Sequence, residues 1–177
     1  MSNLPIPIPA SAVPGQFITG ALWNANVFNG LTYLLNPPIF VGTQAVSQAL
    51  PNSSWTPISF DTTVIDTYSG HSNTVNPSRY TAQVAGWYTI CGNFVTVPNN
   101  TSIRAAQIQV NGNPIPGMSN YSIALNGFET SALTAPRDVY LNVNDYVELS
   151  GWQGSGAALG GATGTMRSSL YCRFSHA

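Results

Sequence analysis

From Ile39 onward, apolar and polar residues alternate in short runs separated by turn residues. Alternation with a period of two is the pattern of a half-buried strand. The runs fall at 39–48, 55–61, 79–84, 87–97, 103–110, 119–125, 128–134, 138–143, 145–152 and 165–174. Breaks between them include Pro51-Asn52, Ser69-Gly70, Asn76-Pro77, Pro98-Asn99-Asn100 and the glycine-rich stretch 154–164. Asn111-Gly112 and Asn126-Gly127 are tight-turn signals, because Asn and Gly tolerate positive φ. Single runs have one apolar face. Val139, Leu141 and Val143 oppose Tyr140 and Asn142, Val147 and Leu149 oppose Tyr146 and Glu148, and Met166, Leu170, Cys172 and Phe174 oppose Arg167, Tyr171 and Arg173. Such strands with no helix between them predict an all-β fold, an antiparallel ten-strand sandwich.

The first 38 residues are patterned differently. Leu4, Ile6 and Ile8 alternate with Pro5, Pro7 and Pro9. Proline lacks the backbone donor that a helix or central strand requires, so this strip is extended and suited to docking in a groove. Residues 19–35 predict one short helix, with Thr19 as N-cap and Asn36-Pro37-Pro38 as its stop. Trp23, Val27, Leu31 and Leu34 line one face at helical spacing, widened by Phe28 and Leu35. The helix has more apolar side chains than a single buried stripe uses. The chain therefore divides into an arm and helix, 1–38, and a head, 39–177.

Charge sharpens this picture. Charged residues make up 6% of the 177, no lysine occurs, and none of Asp, Glu, Lys, Arg or His appears before Asp61. Soluble domains carry about a quarter charged residues, which keep neighbours apart. An uncharged sixty-residue stretch suits contact with other protein. Hydrophobic residues reach 44%, so low charge does not signal disorder here. A net charge of −1 leaves no basic footprint for nucleic acid. No apolar run reaches the roughly 18 residues of a membrane span, and no positive region precedes an apolar core as in a secretion signal, so membrane insertion is not expected.

Chemistry is sparse. Cys91 and Cys172 have no zinc-type spacing and read as unpaired thiols, Cys172 sharing a face with Leu170 and Phe174 and Cys91 lying opposite Tyr88 and Ile90. His71 lies in a Gly-Ser-Asn-Thr loop and His176 is penultimate, so neither reads as a scaffolded base. Asp61, Asp66, Asp138, Asp145 and Glu129 sit at turns and strand ends, where carboxylates cap backbone. Asp138 and Asp145 fall short of the oxygen set a calcium ion needs. The expectation is no enzyme, no cofactor and no metal. Of the aromatic pool Trp55, Trp87, Trp152, Tyr68 and Tyr121, the turn-proximal Tyr68 and Tyr121 are the expected surface contacts for a glycan, while Trp87 reads as core or subunit interface.

Two resemblances refine the reading. Phe60-Asp61, Tyr80, the segment Val84 to Cys91, the strand Arg104 to Asn111, the segment Val139 to Leu149 and the last strand Ser169 to Phe174 occur in an order that resembles the globular head of complement subcomponent q and the tumour necrosis factor superfamily. Asn144 stands where that family has glycine, and the last strand lacks its Phe-x-Gly-Phe. Over 39–175 the resemblance implies a ten-strand jelly roll that forms homotrimers. The implied interface is the outer face of the sheet holding the first, third, sixth and last main strands, with Trp87, Cys91, Val95, Tyr140 and Tyr171 pointing away from the core.

Residues 15–19, 22–27 and 30–38 resemble a segment near the start of virion proteins of tailed bacteriophages that infect actinobacteria. That resemblance implies a structural appendage of a phage virion, assembled in the host cytoplasm. It would be a minor tail or tail-tip protein whose head touches the host surface. It would be fixed to other virion proteins through residues 1–38, with Leu4, Ile6, Ile8, Trp23, Val27, Leu31 and Leu34 as the anchor. A capsid decoration protein or head fibre is the alternative, and a free trimeric glycan-binding module is the reading from another class.

Overall fold

The computed structural model describes residues 6–8 and 14–177. A helical rod runs through α1 (Gly20–Trp23), a π-helical turn (Asn24–Phe28) and α2 (Asn29–Leu35). Thr19 caps it as expected, its hydroxyl accepting from the Leu22 N–H at 3.2 Å. The chain then enters β1 (Ile39–Thr43), followed by β2 (Ala49–Leu50), β3 (Thr56–Pro57), β4 (Thr62–Asp66), β5 (Arg79–Thr81), β6 (Gly86–Thr96) and β7 (Ile103–Val110). The remainder is β8 (Asn113–Ile123), β9 (Thr130–Leu133), β10 (Arg137–Leu141), β11 (Tyr146–Gln153), β12 (Leu159–Gly160) and β13 (Ser169–His176).

Two antiparallel sheets face each other. One has the order β10-β6-β13-β1-β4, with β9 beside the far half of β6. The other has the order β3-β11-β7-β8, with β5 also on β11. The core between them contains Phe40, Phe60, Tyr80, Tyr88, Ile90, Phe94, Ile108, Leu141, Val147, Leu149, Leu170 and Cys172, all fully buried. Every other residue of β6 faces inward from Tyr88 to Phe94, as its alternation predicts.

Several expectations change in detail. The β7–β8 hairpin closes through Asn111 (φ 52) and Gly112 (φ 78), with Val110 paired to Asn113. Two successive positive φ values are the turn that matches strand twist. Asn126-Gly127 instead lies where the chain passes from β8 in one sheet to β9 in the other. The expected run 39–48 ends at Thr43, because the Asp61 carboxylate accepts the Ala45 and Val46 N–H groups and turns the chain. β4 falls in a stretch to which no run was assigned, and Met166 precedes the last strand, where it is half exposed. Asn144 has φ 73, the left-handed region that Asn tolerates better than other non-glycine residues.

Candidate interaction surfaces

The outer face of the β10-β6-β13-β1 sheet is built by register. Tyr140 pairs with Trp87, Tyr171 pairs with Cys91, and the last pairing of β13 sets His176 beside Trp87. Trp87 meets the edge of Tyr140 at 5.7 Å between centroids and stacks on His176 at 5.9 Å. Tyr140 is 48% and Trp87 39% exposed, and Cys91 and Tyr171 are half-buried. These four expected interface residues share one surface. Val95 does not join them. It is fully buried, at the end of β6 that the segment Gly161–Ser168 borders. The Ala162 N–H donates to the Val95 carbonyl at 3.1 Å, and the Val95 N–H donates to Ser168 Oγ at 3.0 Å.

The cysteines sit side by side on neighbouring strands. Cys172 pairs with Ile90 and is buried, whereas Cys91 pairs with Tyr171 on the opposite face. Burial pushes both thiols above their ordinary range, Cys172 the more strongly.

The helix rests on the head through Tyr33, and the stripe expected to meet a partner stays on the outside. Tyr33 enters the core against Phe174 at 5.5 Å between centroids, and Leu22 and Asn26 are half-buried. Trp23, Leu31 and Leu34 remain largely exposed, with Phe28 and Leu35, and Val27 is half-buried. Ile6 packs on the core edge and Ile8 is exposed, while Leu4 lies outside the described residues. The Asn26 amide donates to the Leu22 carbonyl one turn back at 3.0 Å.

Of the two expected ligand contacts, Tyr121 is 70% exposed and Tyr68 only 3%. Tyr68 is therefore no surface contact. The turn after β4 folds it into the core, where the Thr67 N–H donates to the Ile39 carbonyl and Asp66 accepts the Gly70 and His71 N–H groups.

Asp61, Asp66 and Asp145 hold turns as their positions predicted, whereas Asp138 lies within β10 and accepts from the Thr89 hydroxyl across the ladder. Burial acts to raise the Asp61 carboxyl, but hydrogen bonds from Ala45, Val46 and Thr62 and the charge of Arg167 outweigh it and hold it below the usual range. The Asn111 amide, with help from Asn142, lowers Asp145. Both nitrogens of His71 lie against oxygens, Nδ1 at 2.7 Å from the Arg79 carbonyl and Nε2 at 3.0 Å from the Phe60 carbonyl. Its ring is part of the loop scaffold at the rim of a polar cleft of about 430 Å³ lined also by Arg79, Asn144 and Tyr146. Among the described residues, no group of three or more His, Cys, Asp and Glu side chains is placed to hold a metal.

At the far end of the sandwich, Arg104 is fully buried without a carboxylate. It donates to Thr96 Oγ1, to the Thr101, Ile103 and Asn99 carbonyls and to Asn99 Oδ1 at 2.9–3.3 Å. Sequence reading missed this staple, since nothing local marks an arginine as inward. It fixes the Pro98–Ser102 loop.

No protein-family model and no curated protein matches the chain. Solved structures do. The globular domain of zebrafish complement 1qA is 13% identical over 77% of this chain and 96% of that one, with a TM-score of 0.55. Murine APRIL is 9% identical over 78% and 98%, with a TM-score of 0.59. Eiger TNF from S. frugiperda is 6% identical over 79% and 92%, with a TM-score of 0.55. At these identities the likeness speaks for architecture alone, and the chain has the jelly-roll fold of the complement C1q head and the tumour necrosis factor group.

Proposed function

We propose that the chain is a homotrimeric structural appendage of a tailed-phage virion, fixed by its N-terminal segment and displaying the jelly-roll head. One observation carries this reading: an uncharged N-terminal segment continues into a helix that leaves Trp23, Phe28, Leu31, Leu34 and Leu35 exposed on the folded chain. Apolar side chains gathered on one element call for a partner surface, and the resemblance of residues 15–38 to phage virion proteins supplies its kind. The helix meets the head at the end where β13 finishes, so anchoring there directs the opposite end outward.

Self-association is supported by the fold and by two separate apolar patches. A cyclic trimer is heterologous, so each copy must offer two different surfaces. The Trp87–Tyr140 face is one. The edge formed by β8 and β9 is the other, with Ile123, Leu125, Phe128 and Leu133 exposed. The test is antibody labelling of purified particles together with light scattering of the free protein. Label on particles and a trimeric mass support the reading, and absence from particles overturns it. Label over the head shell rather than the tail favours the capsid-decoration alternative.

A further inference from the structure

We infer that the polar cleft beside β5 binds the acid group of an anionic saccharide, a sugar carboxylate or a sugar phosphate, with Arg79 as the fork that grips it. The site goes beyond the appendage reading and is testable without a particle.

The cleft is built where β5 pairs with β11, which sets Arg79 opposite Glu148 and Thr81 opposite Tyr146. The loop before β5 supplies the rest of the lining. The Thr81 N–H donates to the Gly70 carbonyl at 2.7 Å and the Arg79 N–H to the Asn76 carbonyl at 3.0 Å, so both ends of that loop are tied to the strand. The volume, about 430 Å³, is that of a small-molecule site. Among the lining residues Asn76 and Asn144 are exposed and Arg79, Thr81 and Tyr146 half-buried, so the cleft opens to solvent.

Arg79 is oriented in advance. Its Nε donates to Glu148 Oε1 at 3.2 Å, and its guanidinium lies 3.9 Å over the Tyr146 ring. Those contacts fix the plane of the group, and neither Nη group hydrogen-bonds to a described residue. Two Nη donors in one plane match the paired oxygens of a carboxylate or phosphate. No carboxylate lines the cleft to compete for them. Glu148 is buried, with Ser78 Oγ donating to its Oε1 at 2.6 Å. Asp66 is spent on the Gly70 and His71 N–H groups, and Asp145 on that of Asn142. Glu148 cancels part of the guanidinium charge, so the cleft selects by the fork rather than by long-range attraction.

The rest of the lining suits the carrier of the acid. Gln83 Nε2 donates to the Thr81 carbonyl at 3.2 Å, which leaves its amide oxygen for a ligand. Asn144 is held in place, with φ 73 and its N–H donating to the Ala82 carbonyl at 2.9 Å. Amides and hydroxyls match the hydroxyl groups of a sugar. Among the described lining residues Val75 alone is aliphatic, which disfavours a fatty acid. The His71 ring nitrogens face the Arg79 and Phe60 carbonyls, so that ring shapes the wall.

The test is titration of the full-length protein with glucuronate, glucose 6-phosphate and glucose, and with acetate and inorganic phosphate as the bare acids, read by backbone amide shifts. Glucuronate or glucose 6-phosphate should bind at least tenfold more tightly than glucose and than its own bare acid, shifting Gly70, Arg79, Thr81 and Asn144. The tighter of the two identifies the acid. Arg79→Lys keeps a cation beside Glu148 but loses the fork, and should weaken the acidic sugar at least tenfold. Asn144→Gly removes an amide where glycine adopts the same φ freely, so the fold is kept and affinity should fall severalfold. Binding of neither acidic sugar, glucose or the bare acid binding as tightly, shifts confined to another surface, or unaltered affinity in both variants overturns the site. Those results leave the appendage reading intact, which fails separately if the protein is missing from particles.

Discussion

Tyr33 stands edge-on to Phe174, with ring centroids 5.5 Å apart and planes at 85°, and so locks the N-terminal helix onto the core of the head. Phe174 in turn meets Tyr88 at 5.5 Å and 89°. The Tyr33 hydroxyl is buried with no hydrogen-bond partner among the described residues. Tyr33→Ala should therefore cost about 3 kcal/mol in denaturant unfolding, as for other emptied aromatic sites. It should also expose Trp23 and Phe28 to protease. Tyr33→Phe should cost nothing or stabilise, because it removes an unsatisfied polar group and keeps the ring.

The Trp87–Tyr140 face gives a second expectation. Tyr140→Asp combined with Tyr171→Asp places two charges on a surface that would lose its water on trimerisation. The variant should run as a monomer or aggregate by light scattering. A stable trimer would remove this face from the interface.

The thiols differ in access and should differ in reactivity. Cys91, half-buried, should react with a disulfide reagent in the native protein, and Cys172 only after denaturation. Because burial raises the Cys91 pKa, its rate should go on climbing to a higher pH than that of an ordinary thiol, which is half ionised at about pH 8.5. A plateau below pH 8.5 would contradict the burial assigned to it.

Asp61 sets the acid limit of the loop after β1. Its folded pKa is lowered, so its contribution is fully present above the unfolded value near 3.8 and is lost as pH falls through the lower folded value. Asp61→Ala should lose roughly 1–2 kcal/mol at pH 7, the scale of hydrogen bonds to a charged acceptor. The gap from wild type should close below about pH 4. A gap that persists in acid would place the effect elsewhere.

Alternation along the strands was enough to read the sandwich, because a sheet buried on one face writes its period into the sequence. Parity likewise placed Cys91 and Cys172 on opposite faces, as their pairing with Tyr171 and Ile90 shows. Parity failed where the sheet is covered on both sides. Val95 points outward by count yet is fully buried where Gly161–Ser168 borders β6, a segment whose glycines have no pattern to read. Tyr68 looked like a turn residue and is one, but its turn folds inward. In the helix, apolarity selected Trp23, Val27, Leu31 and Leu34 for a partner surface, and the contact that the head makes through Tyr33 went unread. Counting side chains cannot distinguish a stripe reserved for the chain's own core from one reserved for a partner.

The central claim is that the N-terminal segment anchors the head to a particle, and incorporation of Leu31→Asp with Leu34→Asp measures it most directly. Both side chains are exposed on the folded chain, so the head should fold and trimerise as before. Quantitative mass spectrometry of particles purified from a host supplying only this variant should find it absent or nearly so. Incorporation at the wild-type copy number would show that attachment lies elsewhere, and would contradict the account.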